Sequence, residues 1–307
     1  MNRIKLNSLQ KFKSKGFDMM DVPLVGSFLL GAPKCGTSWL ADVLSQHPEI
    51  CISNPKEPNI VATHKGTFIR DDSSLDLSGY GEFFRGEGVK VDCSVHAFSC
   101  PKAPSRIKKI WPEAKFIVSL RDPVERAVSQ WNHALDYGDD RKAGVDWSEF
   151  TEAWKDGRLR CDSLYGESLK NWLAFFPIDS FLIIETKVMR NLPHEVLKEV
   201  CNHIGVREYS FDLGLVKDHN LTSQRRTINI VGRFVKNSAG ILPRGLREMI
   251  AKKLQSRGIN IYRTKFFSTR TSGSRIITDS ERELVRQSLV EDQYLLEELT
   301  GLNNLTQ

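Results

Sequence analysis

Residues 25–40 read Val25-Gly-Ser-Phe-Leu-Leu30-Gly31-Ala-Pro-Lys34-Cys35-Gly36-Thr37-Ser38-Trp39-Leu40. An apolar run of strand length passes into a loop of small residues, and the loop passes into a helix predicted from about Thr37 to Gln46. Small residues let the backbone approach a ligand closely. The helix N-terminus adds unpaired N–H groups and a partial positive charge. Thr37 and Ser38 add hydroxyl donors, so the unit is a cradle for an anion. It departs from the Walker pattern G-x-x-x-x-G-K-[ST] at one informative place. Gly31 and Gly36 have the right separation, but Thr37 stands where the lysine belongs, and the lysine sits inside the loop as Lys34. A nucleoside triphosphate enzyme needs that lysine on the β- and γ-phosphates and a hydroxyl on magnesium. This loop suits a shorter 5′ anion without a metal.

A second unit of the same build lies further along, Phe116-Ile-Val-Ser-Leu-Arg121-Asp-Pro-Val-Glu-Arg126-Ala-Val-Ser129-Gln-Trp131. Lys115–Leu120 reads as a buried strand. Asp122 as N-cap, Pro123 at the first helical position and Glu125 in a capping box open the next helix. Arg121 therefore sits at the carboxyl end of a strand, and Ser129 lies about two turns into the helix. A guanidinium fork and a hydroxyl placed so can meet one anion. The alternative is that Arg121 pairs with Asp122 or Glu125 and Ser129 is a helix-surface hydroxyl.

Outward from these units, strands and helices alternate. Val89–Asp92 and Ser180–Glu185 read as strands. Lys102–Trp111 reads as a helix. Others are opened by Asp146 with Glu149, by Asn191, and by Thr278 with Glu281, the second closing at Gly205 and the third at Gly301. The pattern predicts an α/β fold: a P-loop-like parallel sheet flanked by helices on both faces, in a single domain over 21–307 behind a basic lead-in over 1–20. Ligands in such sheets bind at the carboxyl ends of the strands, which singles out the loops after Leu30, Asp92 and Leu120. The irregular stretches around 54–87 and 217–228 are candidates for acceptor-binding loops.

Bulk properties narrow the function class. The 307 residues are 40% hydrophobic and 27% charged, ordinary for a globular protein, with a mild and scattered net charge of +6. That balance suits an anionic ligand. No zinc finger, recognition helix or aromatic RNA-binding signature is present, so no nucleic-acid partner is expected. No apolar run reaches the length of a membrane span, and the basic N-terminus lacks the apolar stretch of a secretory signal, so the expected compartment is the cytoplasm. Of the six cysteines, none forms a C-x-x-C pair or lies at zinc-ligand spacing from a histidine. Free, mostly buried thiols and no metal cofactor are expected.

Pro33-Lys34-Cys35-Gly36-Thr37-Ser38-Trp39-Leu40 resembles the 5′-phosphosulfate loop of sulfotransferases that use 3′-phosphoadenosine-5′-phosphosulfate (PAPS), and Arg121 with Ser129 resembles their 3′-phosphate motif. Ile183–Glu185 with Val196–Val206 resembles a late segment of the family, and Leu295–Gly301 its bacterial and glycan-directed endings. The resemblance implies PAPS as co-substrate, released as adenosine 3′,5′-bisphosphate, with sulfuryl transfer to an acceptor hydroxyl. Lys34 is then the cation at the bridging oxygen, where charge develops. Cys35, Gly36, Thr37, Ser38 and Trp39 join it around the donor. Trp39 is either a stacking surface for adenine or a core side chain. Arg225 and Arg226 are either a basic loop over the 3′-phosphate or a solvated pair.

A hydroxyl acceptor needs a base. Glu57, in Asn54-Pro-Lys-Glu57-Pro58, lies in a stretch that resembles the Lys-Glu-Pro segment of glycan-type members, where the glutamate is the base. His96 loosely resembles the histidine of the small-molecule branch. Glycan-type members often carry a second lysine after the strand that here ends at Asp92. This chain has Cys93 there, with Lys56, Lys65 or Lys90 as substitutes. The resemblance of the Lys-Glu-Pro stretch and of the C-terminal ending to glycan-directed members implies a carbohydrate or glycoconjugate acceptor. The alternatives are a small-molecule phenol, alcohol or lipid acceptor and, from different classes, a P-loop kinase or a non-catalytic nucleotide-binding protein.

Overall fold

A computed structural model describes residues 23–216, 226–228, 268–270 and 275–302. The apolar run that opens the sequence argument forms β1 (Val25–Gly31), in the middle of a five-stranded sheet. With β2 (Ile50–Ile52), β3 (Val89–Asp92), β4 (Lys115–Leu120) and β5 (Phe181–Glu185), the order is β2-β3-β1-β4-β5, and every pairing is parallel. The chain builds one side of the sheet and then crosses β1 to build the other. The strand order therefore reverses at β1, and the crevice at its carboxyl end is where a ligand belongs.

Side chains alternate across a strand, and both faces of β1 and β4 are buried, so their apolar runs are continuous. Phe28, Leu30, Phe116 and Val118 face a core shared with Ile107 of α2 (Ala103–Ile110) and with Leu169 and Trp172 of α7 (Tyr165–Leu173). Leu29, Val91 and Ile117 face the opposite core, with Leu40 and Leu44 of α1 (Thr37–Leu44) and Val196 and Val200 of α9 (Pro193–Ile204). A third cluster lies beside the sheet. It joins α3 (Pro123–Tyr137), which is followed by the short α4 (Asp139–Lys142), with α5 (Phe150–Lys155) and α6 (Gly157–Cys161) to the last helix, α10 (Asp279–Thr300), through Trp131, Trp147, Trp154, Val285 and Leu289. The α/β class and the parallel sheet with helices on both faces are as expected.

The N-caps of α3 and α10 form as read, but the capping box expected at α3 does not close, because the Glu125 carboxylate takes Arg282 of α10 instead. The Asp122 carboxylate accepts from Glu125 N, and Thr278 and Glu281 close a full capping box. Three helix boundaries differ. α1 ends at Leu44 rather than Gln46, because Gln46 N turns back to the Val43 carbonyl. The helix expected from Asp146 begins only at Phe150, since the Asp146 carboxylate is spent on a turn to Ser148 N. The residues up to Asn191 form a helix of their own, α8 (Thr186–Asn191), and Pro193 starts α9 afresh. Within 217–228, Arg226–Ile228 pairs antiparallel with Ser268–Arg270. The 1–20 lead-in lies outside the described residues. Among the described residues, no helix is long and apolar enough to cross a membrane.

Candidate active site

The loop from Gly31 to Gly36 is fixed from behind. The Cys35 carbonyl accepts from the Ser119 hydroxyl and from Thr186 Oγ1 at 3.2 Å, while Thr186 also donates to the Leu120 carbonyl at 2.8 Å. The Tyr165 hydroxyl donates to the Arg121 carbonyl at 3.1 Å and lies 3.9 Å from the Cys35 thiol. Gly36 has φ 80°, a left-handed conformation that disfavours any side chain, and a Cβ there would also push on Met189 Cε at 2.5 Å. Lys34 adopts φ 73°, a left-handed conformation that costs a non-glycine residue about 1 kcal/mol or more and persists where the surroundings hold it. α1 starts at Thr37 with no side-chain cap, which leaves its first amides to a ligand.

This loop forms one wall of a pocket of about 240 Å³ at the carboxyl end of β1. Lys34, Gly36, Thr37 and Ser38 line it from the loop; Glu57 and His96 line it from the segments beside β2 and after β3. The sequence-predicted lysine and both candidate bases therefore share one cavity. Gln130 and His133, on α3, complete the wall. Sequence reading passed over these two; the available signal was their position one and four residues beyond Ser129, on the face of a helix opened by a phosphate-type motif.

Glu57 is half-buried and paired with Lys56, whose ammonium lies 3.1 Å from Glu57 Oε1 and 3.3 Å from Thr37 Oγ1. His96 is buried, with Nδ1 3.6 Å from Asp162 Oδ2. Burial alone would raise the Asp162 carboxyl. Its contact with His96, the Arg126 guanidinium and a hydrogen bond from Ser99 outweigh it and hold the group down at about 2. Arg126 is itself fully buried, donating to Ser163 Oγ at 2.7 Å and the Leu159 carbonyl at 2.8 Å. An anionic Asp162 thus backs His96 from the core side.

The remaining predicted residues fall differently. Arg121 Nη1 donates to the Lys34 carbonyl at 3.5 Å, which ties the second motif to the first. Its Nη2 lies 3.7 Å from Glu125, whose closer partner is Arg282 of α10 at 2.6 Å. Ser129 is half-buried on α3, close to the pocket wall in sequence but not part of it. Trp39 packs partly against the core on the α1 side of the sheet. The Cys35 side chain points into the other core, and burial pushes its thiol up to about 11, so it meets an anion only through its backbone N–H. Arg225 lies outside the described residues, and Arg226 is described only as strand backbone. Cys93 is a buried thiol pushed up to about 12 by burial, and Lys65 is ion-paired with Asp71.

Comparison with known proteins fits this geometry. A family model described as a sulfotransferase domain matches residues 26–218. The bifunctional heparan sulfate N-deacetylase/N-sulfotransferase 3 of Mus musculus is 28% identical over 62% of this chain and 23% of its own length. The heparan sulfate glucosamine 3-O-sulfotransferase 3B1 of Mus musculus is 26% identical over 61% of this chain and 47% of its own. The chain thus spans less than half the length of either relative. The crystal structure of a sulfotransferase from Alicyclobacillus acidocaldarius shares the fold, with a TM-score of 0.53 and 24% identity over 71% of this chain and 94% of that one.

Proposed function

Because the chain belongs to the sulfotransferase domain family, we propose that it moves the sulfuryl group of PAPS to a hydroxyl of a carbohydrate or glycoconjugate. One observation carries the proposal: Lys34, the uncapped start of α1 and the carboxylate of Glu57 converge on one pocket at the carboxyl end of β1. An anion cradle and a base that share one cavity are what a transfer to a hydroxyl needs.

The donor fits the cradle by its chemistry. The amides of Thr37 and Ser38 with the Lys34 ammonium answer the negative charge of a 5′-phosphosulfate. Arg121 at the end of β4 and Ser129 on α3 would hold the 3′-phosphate. The protein's task is then electrostatic and positional. Lys34 meets the charge that grows on the bridging oxygen as its bond to sulfur breaks. Glu57 takes the proton of the attacking hydroxyl while that oxygen forms the new bond to sulfur. His96, backed by Asp162, orders the acceptor side of the cavity.

Two features support a carbohydrate acceptor: the names of the relatives, which act on heparan sulfate, and the Lys-Glu-Pro segment that carries Glu57. Incubation with labelled PAPS against panels of glycans, phenols and lipid alcohols tests the proposal. Label is expected in the glycan pool. Label confined to phenols or lipid alcohols would refute the carbohydrate acceptor.

A further inference from the structure

Lys56 is adjacent to Glu57 in sequence, yet its ammonium serves more than that pair. It donates to Glu57 Oε1 at 3.1 Å and to Thr37 Oγ1, on the phosphate loop, at 3.3 Å. The segment that carries it is stapled to the carboxyl end of β3. Ser53 Oγ donates to the Lys56 carbonyl at 2.7 Å and accepts from Cys93 N at 3.2 Å. Asn59 N donates to Ser94 Oγ at 2.9 Å, and Asn59 Nδ2 to the Glu57 carbonyl at 3.1 Å. The bridge between base and loop is therefore set by the fold.

The chemistry of the bridge is directional. An ammonium only donates. At Thr37 the hydroxyl oxygen must accept from Lys56, so the Thr37 hydrogen is turned toward some other acceptor. In a cradle of amides, an anion bound there would be that acceptor. At Glu57 the ammonium engages Oε1, and Oε2 is not part of this bond. Lys56 does not line the pocket itself, so it acts through these two groups.

We propose that Lys56 is a positioning residue that couples the base to the donor loop. It aims the Thr37 hydroxyl at the donor and the Glu57 carboxylate at the acceptor. When Glu57 gains the acceptor's proton, the ammonium loses its counter-charge. Its field is then felt at Thr37, beside the phosphate end that is gaining negative charge. Lys65 does not compete for this role, since it is ion-paired with Asp71. The inference rests on the sulfotransferase assignment.

The test compares the wild type with Lys56→Met, Lys56→Arg and, as a charge control, Lys65→Met. It measures adenosine 3′,5′-bisphosphate binding by calorimetry, turnover with KM for each substrate, and melting temperature. For Lys56→Met, bisphosphate binding is expected to weaken by about tenfold and kcat to fall by ~10–100-fold with an unchanged acceptor KM. Lys56→Arg should recover most of both, and Lys65→Met should match the wild type. Wild-type binding and turnover in Lys56→Met would overturn the inference. So would equal losses in Lys56→Arg together with a lowered melting temperature, which would mark a merely structural role. If the wild type itself fails to bind the bisphosphate, the sulfotransferase assignment fails, and the coupling with it.

Discussion

Lys34→Ala is expected to lower turnover by ~10²–10³, the loss that follows removal of one donor aimed at developing charge. The loop conformation makes the side chain specific to that task. Lys34 sits at φ 73° between a buried strand and an uncapped helix start, and its side chain lines the pocket. A lysine needed only for solubility would have no reason to occupy a strained position. The ground-state donor keeps its contacts with the amides of α1, so bisphosphate binding should weaken far less than turnover. Single-turnover measurement with labelled PAPS separates the two. Near wild-type turnover in Lys34→Ala would sink its role at the bridging oxygen.

Glu57→Gln should be the second severe variant. Loss of a positioned base costs ~10²–10⁴ in rate, and the amide keeps the size and much of the hydrogen bonding of the carboxylate. Binding of adenosine 3′,5′-bisphosphate should survive. His96 lines the same pocket, so the comparison with His96→Ala decides between the two candidate bases. We expect His96→Ala to raise the acceptor KM and to leave most of kcat, because the His96 ring is braced against Asp162 and shapes the cavity wall. The reverse outcome, with turnover abolished in His96→Ala and retained in Glu57→Gln, would exchange their roles.

What could be read from the sequence follows from the range of the interactions. Strand, loop and helix cap are local, so the cradle at Gly31–Ser38, the N-cap at Asp122 and the capping box at Thr278 were all legible. So was the parallel sheet, because runs buried on both faces are continuous. The strand Ile50–Ile52 passed unnoticed: with only three residues, its identity comes from pairing with Val89–Val91. The partnership of His96 with Asp162, and of Asp162 with the buried Arg126, is purely tertiary. Asp162 reads in sequence as an ordinary charge at a helix end. The same limit applied to Cys93. Sequence offered three lysines to replace its missing cation, and only the fold shows the Lys56 ammonium reaching Thr37. Cys35 went the other way, since a residue in the loop by sequence has its thiol in the core.

The proposed donor has two separated anionic ends, one at the loop of Lys34 and one at Arg121 with Ser129. Calorimetric titration with adenosine 3′,5′-bisphosphate, adenosine 5′-monophosphate and ATP–Mg²⁺ tests it most directly. The bisphosphate should bind without magnesium and at least about tenfold more tightly than the monophosphate, the worth of a charge-assisted contact to the 3′-phosphate. Equal affinity for bisphosphate and monophosphate, or binding of ATP–Mg²⁺ alone, would contradict it.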